Sequence, residues 1–102
     1  MYPSDTMEEL IGMRQDEAYL GRDPIQEVVD EAHRRVIKVY AWFEFGFSSS
    51  YSAKGGPIVA HRPAWKALNS DGELVVKNGF DWLNGFDPEV QDFMLSLVKE
   101  VL

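Results

Sequence analysis

Twice in this chain an aspartate is followed by a proline and then by apolar residues three and four positions apart. Asp23-Pro24 leads into Ile25, Val28, Val29, Ala32, Val36, Tyr40 and Phe43, and Asp87-Pro88 leads into Val90, Phe93, Met94, Leu97, Val98 and Val101. An aspartate carboxylate accepts from the free N–H groups at a helix start, and proline loses nothing there because its missing N–H has no helical partner. Spacing of three and four is the helical period, and it gathers the apolar side chains into one stripe that must be buried. In the first of these helices Glu27, Asp30 and Glu31 precede Arg34, Arg35 and Lys38, the order that complements the helix dipole. Two such segments in 102 residues predict helix packed on helix.

The remaining segments are read around these two. Residues 5–20 predict a further helix, with Asp5 and Glu8 spaced as a capping box, a patchy stripe of Met7, Leu10, Ile11 and Ala18, and Gly21 as the stop. Residues 36–47 are β-branched and aromatic, and they suit a strand as well as the end of a helix. Residues 48–57 read as a loop, and 63–69 as a short helix ending in the turn residues Asn69, Ser70, Asp71 and Gly72. Residues 73–77 suit a short strand or an extended connection. The tetrapeptide Asn-Gly-Phe-Asp then occurs twice, at 78–81 and 84–87, which predicts two turns, each with a phenylalanine anchored in the core. A chain of this length forms one domain with one modest core. The expected fold is therefore mainly α: a small single-domain bundle of three to four helices, with room for a minor two-stranded β element.

Composition narrows the function classes. There is no cysteine, which excludes disulfides, thiolate chemistry and cysteine zinc sites. Cysteine-free small domains fit a cytoplasmic home, and the first residues lack the basic and apolar regions of a signal peptide. No apolar run approaches a membrane span. The net charge of −7 disfavours nucleic acid and anionic membranes as partners and favours a basic protein partner. That charge is uneven. Residues 1–44 carry −5 and residues 71–102 carry −5, whereas 45–70 hold no acid and carry +3 from Lys54, Arg62 and Lys66.

Two sets of side chains are candidates for function. The first is a partner-binding set, Trp42, Phe45, Phe47, Tyr51, Lys54 and Arg62, drawn from the aromatic-rich exit of the second helix and the acid-free stretch. Aromatic anchors and steering charge are what protein interfaces use. With no catalytic constellation in view, the set points to a non-enzymatic interaction module: an inhibitor, an immunity- or antitoxin-like factor, or a small assembly subunit, open to self-association. The bland alternative is that 45–70 merely connects two acidic halves, its cations pairing with their carboxylates. The second set is acidic. Glu8-Glu9 followed by Glu27-Val28-Val29-Asp30 resembles the acidic pattern of the all-α, MazG-like nucleotide pyrophosphohydrolases, although Gly12 stands where that pattern has a third glutamate. The resemblance implies that Glu8, Glu9, Glu27 and Asp30 hold Mg²⁺ against a nucleoside triphosphate, as hard oxygen ligands can.

Overall fold

The computed structural model describes residues 2–44 and 46–102. It contains helices α1 (Asp5–Ile11), α2 (Pro24–Arg34), α3 (Gly56–His61) and α4 (Pro88–Val101). Strands β1 (Ser48–Tyr51), β2 (Val76–Lys77) and β3 (Phe80–Trp82) are joined by 3₁₀ turns and loops. The chain divides into two compact units, Met1–Phe43 with Val101, and Glu44–Glu100 with Leu102.

In the first unit α1 begins one residue earlier than its capping-box reading. Ser4, only 3% exposed, is the N-cap, and its Oγ accepts the Met7 N–H at 3.1 Å. The helix stops at Gly12, whose left-handed conformation (φ 75) lets its N–H reach the Glu8 carbonyl at 2.8 Å. It therefore covers seven residues, and the 5–20 helix ends early. Helix α2 starts as its sequence predicts, with the Asp23 carboxylate accepting from Gln26 N–H at 3.0 Å and Pro24 in the first turn. Its end is different. Arg35 caps it, Val36 turns left-handed at φ 59, and Val36 and Ile37 donate to the His33 and Ala32 carbonyls at 3.0 and 2.9 Å. This is the Schellman arrangement, with valine where glycine usually stands. Residues 37–44 then form neither a helix nor a paired strand.

The second unit holds the sheet, and it corrects the expectation of a plain helical bundle. Three antiparallel strands run in the order β1-β3-β2. The β2–β3 hairpin pairs Val76 with Asp81 and Lys77 with Phe80 across Asn78-Gly79. Both turn residues have positive φ (54 and 81), the geometry that lets a two-residue loop match the twist of its strands. The unexpected strand is β1. Ser48, Ser50 and Tyr51 pair with Trp82, Asp81 and Phe80, with a bulge between Ser48 and Ser50. A run of serines carries no alternating apolar pattern, so periodicity reads it as loop. Pairing with β3 makes it a strand. Helix α3 also forms inside what reads as connector, and the expected 63–69 helix shrinks to a 3₁₀ turn at Pro63–Trp65.

The buried apolar side chains among the described residues are Val59, Trp65, Leu83, Val90 and Phe93, and all belong to this unit. The Trp65 ring lies 5.3 Å from that of Phe93, and its Nε1 donates to Glu89 at 3.0 Å. Helix α4 presents Val90 and Phe93 inward from its expected stripe, beginning at the expected Asp87 cap. No helix among the described residues is long and apolar enough to cross a membrane.

Candidate functional site

The most exposed apolar surface follows α2. Ile37, Val39, Tyr40, Trp42 and Phe43 are all exposed, Trp42 to 84%. Residues 38–44 make no backbone hydrogen bond among the described residues. Within the first unit, Val39, Tyr40, Trp42 and Phe43 and the Ile25, Val28 and Val29 face of α2 line a cleft of about 540 Å³. No charged or amide side chain lines it.

In the second unit a carboxylate organises the acid-free stretch. Asp81, 2% exposed, receives the Ser50 hydroxyl and the backbone N–H groups of Ala53 (3.0 Å) and Gly55 (3.1 Å) on one oxygen, Oδ2. The Ser50 hydrogen bond, then that of Gly55, holds this carboxyl below its ordinary range, against the opposing effect of burial. The loop at 52–55 closes around it only because Ser52, Lys54 and Gly55 adopt positive φ. At Gly55 a side chain is also impossible as built, since a Cβ would lie 2.4 Å from Val59.

The partner-binding set drawn from sequence is distributed rather than gathered into one patch. Trp42 is exposed in the first unit; Phe45 lies outside the described residues. Phe47 is half-buried, its carbonyl accepting from Leu83 N–H and its ring close over Gly85. Tyr51 is 64% exposed, edge-on to Phe80 at 5.2 Å. Lys54 is exposed in the Asp81 loop, and Arg62 is exposed with its guanidinium 5.9 Å from the Trp65 ring centre. Among the described residues neither Lys54, Arg62 nor Lys66 forms an ion pair, so the stretch is tied down by backbone N–H groups on Asp81 and not by its cations.

The acidic set does not converge either. Glu8 is paired with Arg14 at 2.8 Å, Glu27 with Arg22 at 2.6 Å, and Asp30 accepts from Gln26 at 2.8 Å, while Glu9 is exposed. The Arg22 hydrogen bond pulls the Glu27 carboxyl below its ordinary range. Among the described residues no three acidic or imidazole side chains cluster to hold a metal ion. Sequence reading overlooked Asp81. Its one signal was its place two residues after the Asn78-Gly79 turn, where a short acidic side chain can reach loop N–H groups.

Comparison with known proteins assigns the chain. The family model described as Glycosyl hydrolase-like 10 matches residues 1–102. Over 91 residues the chain is 35% identical to Glycosyl hydrolase DigH of Escherichia coli strain K12, and equally so to the proteins of that name from Escherichia coli O157:H7 and Shigella flexneri. The matches cover 80% of this chain and 20% of each relative, so the chain spans about a fifth of the length of these curated relatives. No solved structure matches it. These findings overturn both functional readings drawn from sequence, the non-enzymatic inhibitor or interaction module and the nucleoside triphosphate pyrophosphohydrolase. The acidic pattern behind the second was helix-surface charge, largely taken up by neighbouring arginines and an amide. The aromatic excess behind the first occurs in a chain that matches the Glycosyl hydrolase-like 10 family model over its whole length. The chain belongs to the Glycosyl hydrolase-like 10 family.

Proposed function

We propose that this chain serves the cleavage of glycosidic bonds, as part of a glycoside hydrolase. The observation that carries the reading is the family match along the whole chain, supported by 35% identity to named glycosyl hydrolases. Glycosidases generally use two carboxyl groups, one donating a proton to the leaving oxygen and the other acting as base or nucleophile. The proton donor needs a raised pKa. In this chain Glu27 and Asp81 are both shifted the opposite way, by hydrogen bonds that favour the charged form. Asp81 also holds the 52–55 loop through Oδ2. Neither suits the acid role, and the part we assign to them is structural.

The test is a reducing-end assay on the polypeptide as its native host makes it, against a panel of polysaccharides and oligosaccharides. The expected result is release of new reducing ends from at least one glycan. Purified, folded protein that releases none across the panel retires the reading. A second arm uses Glu27→Gln, for which turnover is expected within about twofold of the parent, because an exposed ion pair contributes little. Loss of turnover on folded Glu27→Gln would return that carboxylate to the chemistry.

A further inference from the structure

We infer that the outer face of the β1-β3-β2 sheet, built on Tyr51, Phe80 and Trp82 with Lys77 beside them, is a carbohydrate-binding surface on which a sugar ring stacks. Side chains alternate along a strand, so β3 turns Asp81 to one face of the sheet and Phe80 and Trp82 to the other. Asp81, and Leu83 just past the strand, are 2% and 3% exposed, which makes theirs the core face. Tyr51 and Lys77 pair with Phe80 from its two sides and so share the outer face with it. An antiparallel sheet with one face on the core normally turns polar side chains outward. Here that order is inverted. The core face holds Asp81, the only acid in the three strands, and the outer face holds the aromatics. Phe80 and Trp82 are half-buried, and Tyr51 is exposed. The Tyr51 ring is nonetheless fixed: it stands edge-on to Phe80 and lies so close over Gly79 that a Cβ there would be 2.5 Å from it. A ring held in place by its own fold loses little freedom when a ligand arrives.

The occupant follows from the donors that accompany the rings. Lys77 is exposed and forms no ion pair among the described residues. Trp82 Nε1 is buried and has no hydrogen-bond partner among them. A donor left in that state is costly, and a ligand oxygen brought to it offsets the cost. The outer face thus combines aromatic area, two N–H donors and one positive charge, while the acid of the sheet is turned away from it. A pyranose ring is complementary to that set. Its C–H groups form an apolar face that lies on an aromatic ring, and its hydroxyl oxygens accept from N–H groups at the rim. The choice of a sugar as ligand rests on the glycosidase reading above; the inverted face does not.

Titration calorimetry on the polypeptide as its native host makes it tests the inference, with cellohexaose, xylohexaose and chitohexaose as probes. At least one probe should bind. Tyr51→Ala should weaken that binding by about tenfold or more, as loss of an aromatic anchor does. Trp82→Phe keeps a ring and removes the N–H, and Lys77→Ala removes the charge; each should weaken binding by about threefold or more. On any glycan that is cleaved, the same variants should raise KM more than they lower kcat, because the surface holds substrate away from the reacting bond. Binding of none of the probes overturns the inference. So do variants that bind as the parent does, the result expected if another part of the polypeptide covers this face. Should Tyr51→Ala fail to fold, Trp82→Phe and Lys77→Ala decide the matter. Binding without new reducing ends retires the glycosidase reading and leaves the surface standing. Turnover with KM unchanged in every variant does the reverse.

Discussion

Val36 sits at φ 59 with 93% of its surface exposed. A β-branched side chain in the left-handed region crowds its own backbone, and here no packing compensates. Val36→Gly should therefore raise the stability of the 102-residue chain by about 1 kcal/mol, the relief of strain less the added freedom of glycine when unfolded. A lower urea midpoint for the variant would refute this. Asp81 gives the opposite kind of prediction. Its folded carboxyl is held below its ordinary range, so the unfolded chain binds that proton more readily. Its stabilisation is thus complete above the unfolded pKa, about 4, and is lost as pH falls through the folded value. Asp81→Asn should lower the Tm by roughly 5 °C or more at neutral pH. The gap from the parent should narrow as the pH is taken below about 4, and a constant gap would count against the Asp81 account. The repeated tetrapeptide shows how much context matters at this scale. Phe80 is half-buried against Tyr51, yet Phe86 is 93% exposed; Asp81 is buried under loop N–H groups, yet Asp87 caps α4. The expected pair of core anchors is absent, Phe80 being only half-buried and Phe86 exposed, since the local sequence sets the turn and only the surroundings decide where its phenylalanine goes.

Helix starts were the elements most legible in the sequence. The Asp-Pro signals of α2 and α4 placed both N-termini because capping is a contact between neighbours in the chain. At α1 the cap was misplaced by one residue, and the structure makes the difference testable. Ser4→Ala should cost about 1 kcal/mol, and Asp5→Ala, which loses only an exposed pairing with Arg14, less than about 0.5 kcal/mol. Thermal unfolding that ranks them the other way would restore Asp5 as the cap. The hairpin depends on Gly79, where a Cβ would lie 2.5 Å from the Tyr51 ring and φ is 81. Gly79→Ala should destabilise by about 2 kcal/mol from strain and displacement of the ring, measured by the shift in urea midpoint. Strand β1 could not be read from its residues. Three serines have no strand pattern of their own, and what pairs them is a partner 30 residues further along.

On the scale of the whole molecule, all the buried apolar side chains described lie in the second unit, around Trp65, Leu83 and Phe93. The slowest-exchanging amides of the isolated chain should accordingly be those of α4 near Val90 and of β3, with α2 exchanging earlier; equal protection of α2 would mean the core has been misplaced. The aromatic-rich run after α2 was visible in the sequence, and so was its ambiguity between helix and strand. Its role was not, because exposure belongs to the surroundings of a segment and not to its composition. By itself the sequence determined what neighbours in the chain can settle: the starts of α2 and α4, the Asn-Gly turn, the apolar stripe of α4 and the absence of disulfide chemistry. Only the tertiary structure decided that a serine run is a strand, that Asp81 gathers the acid-free loop, and that residues 37–43 are left uncovered. Each of these depends on contacts between residues distant in the chain, or on the lack of them, and local propensity contains no information about either.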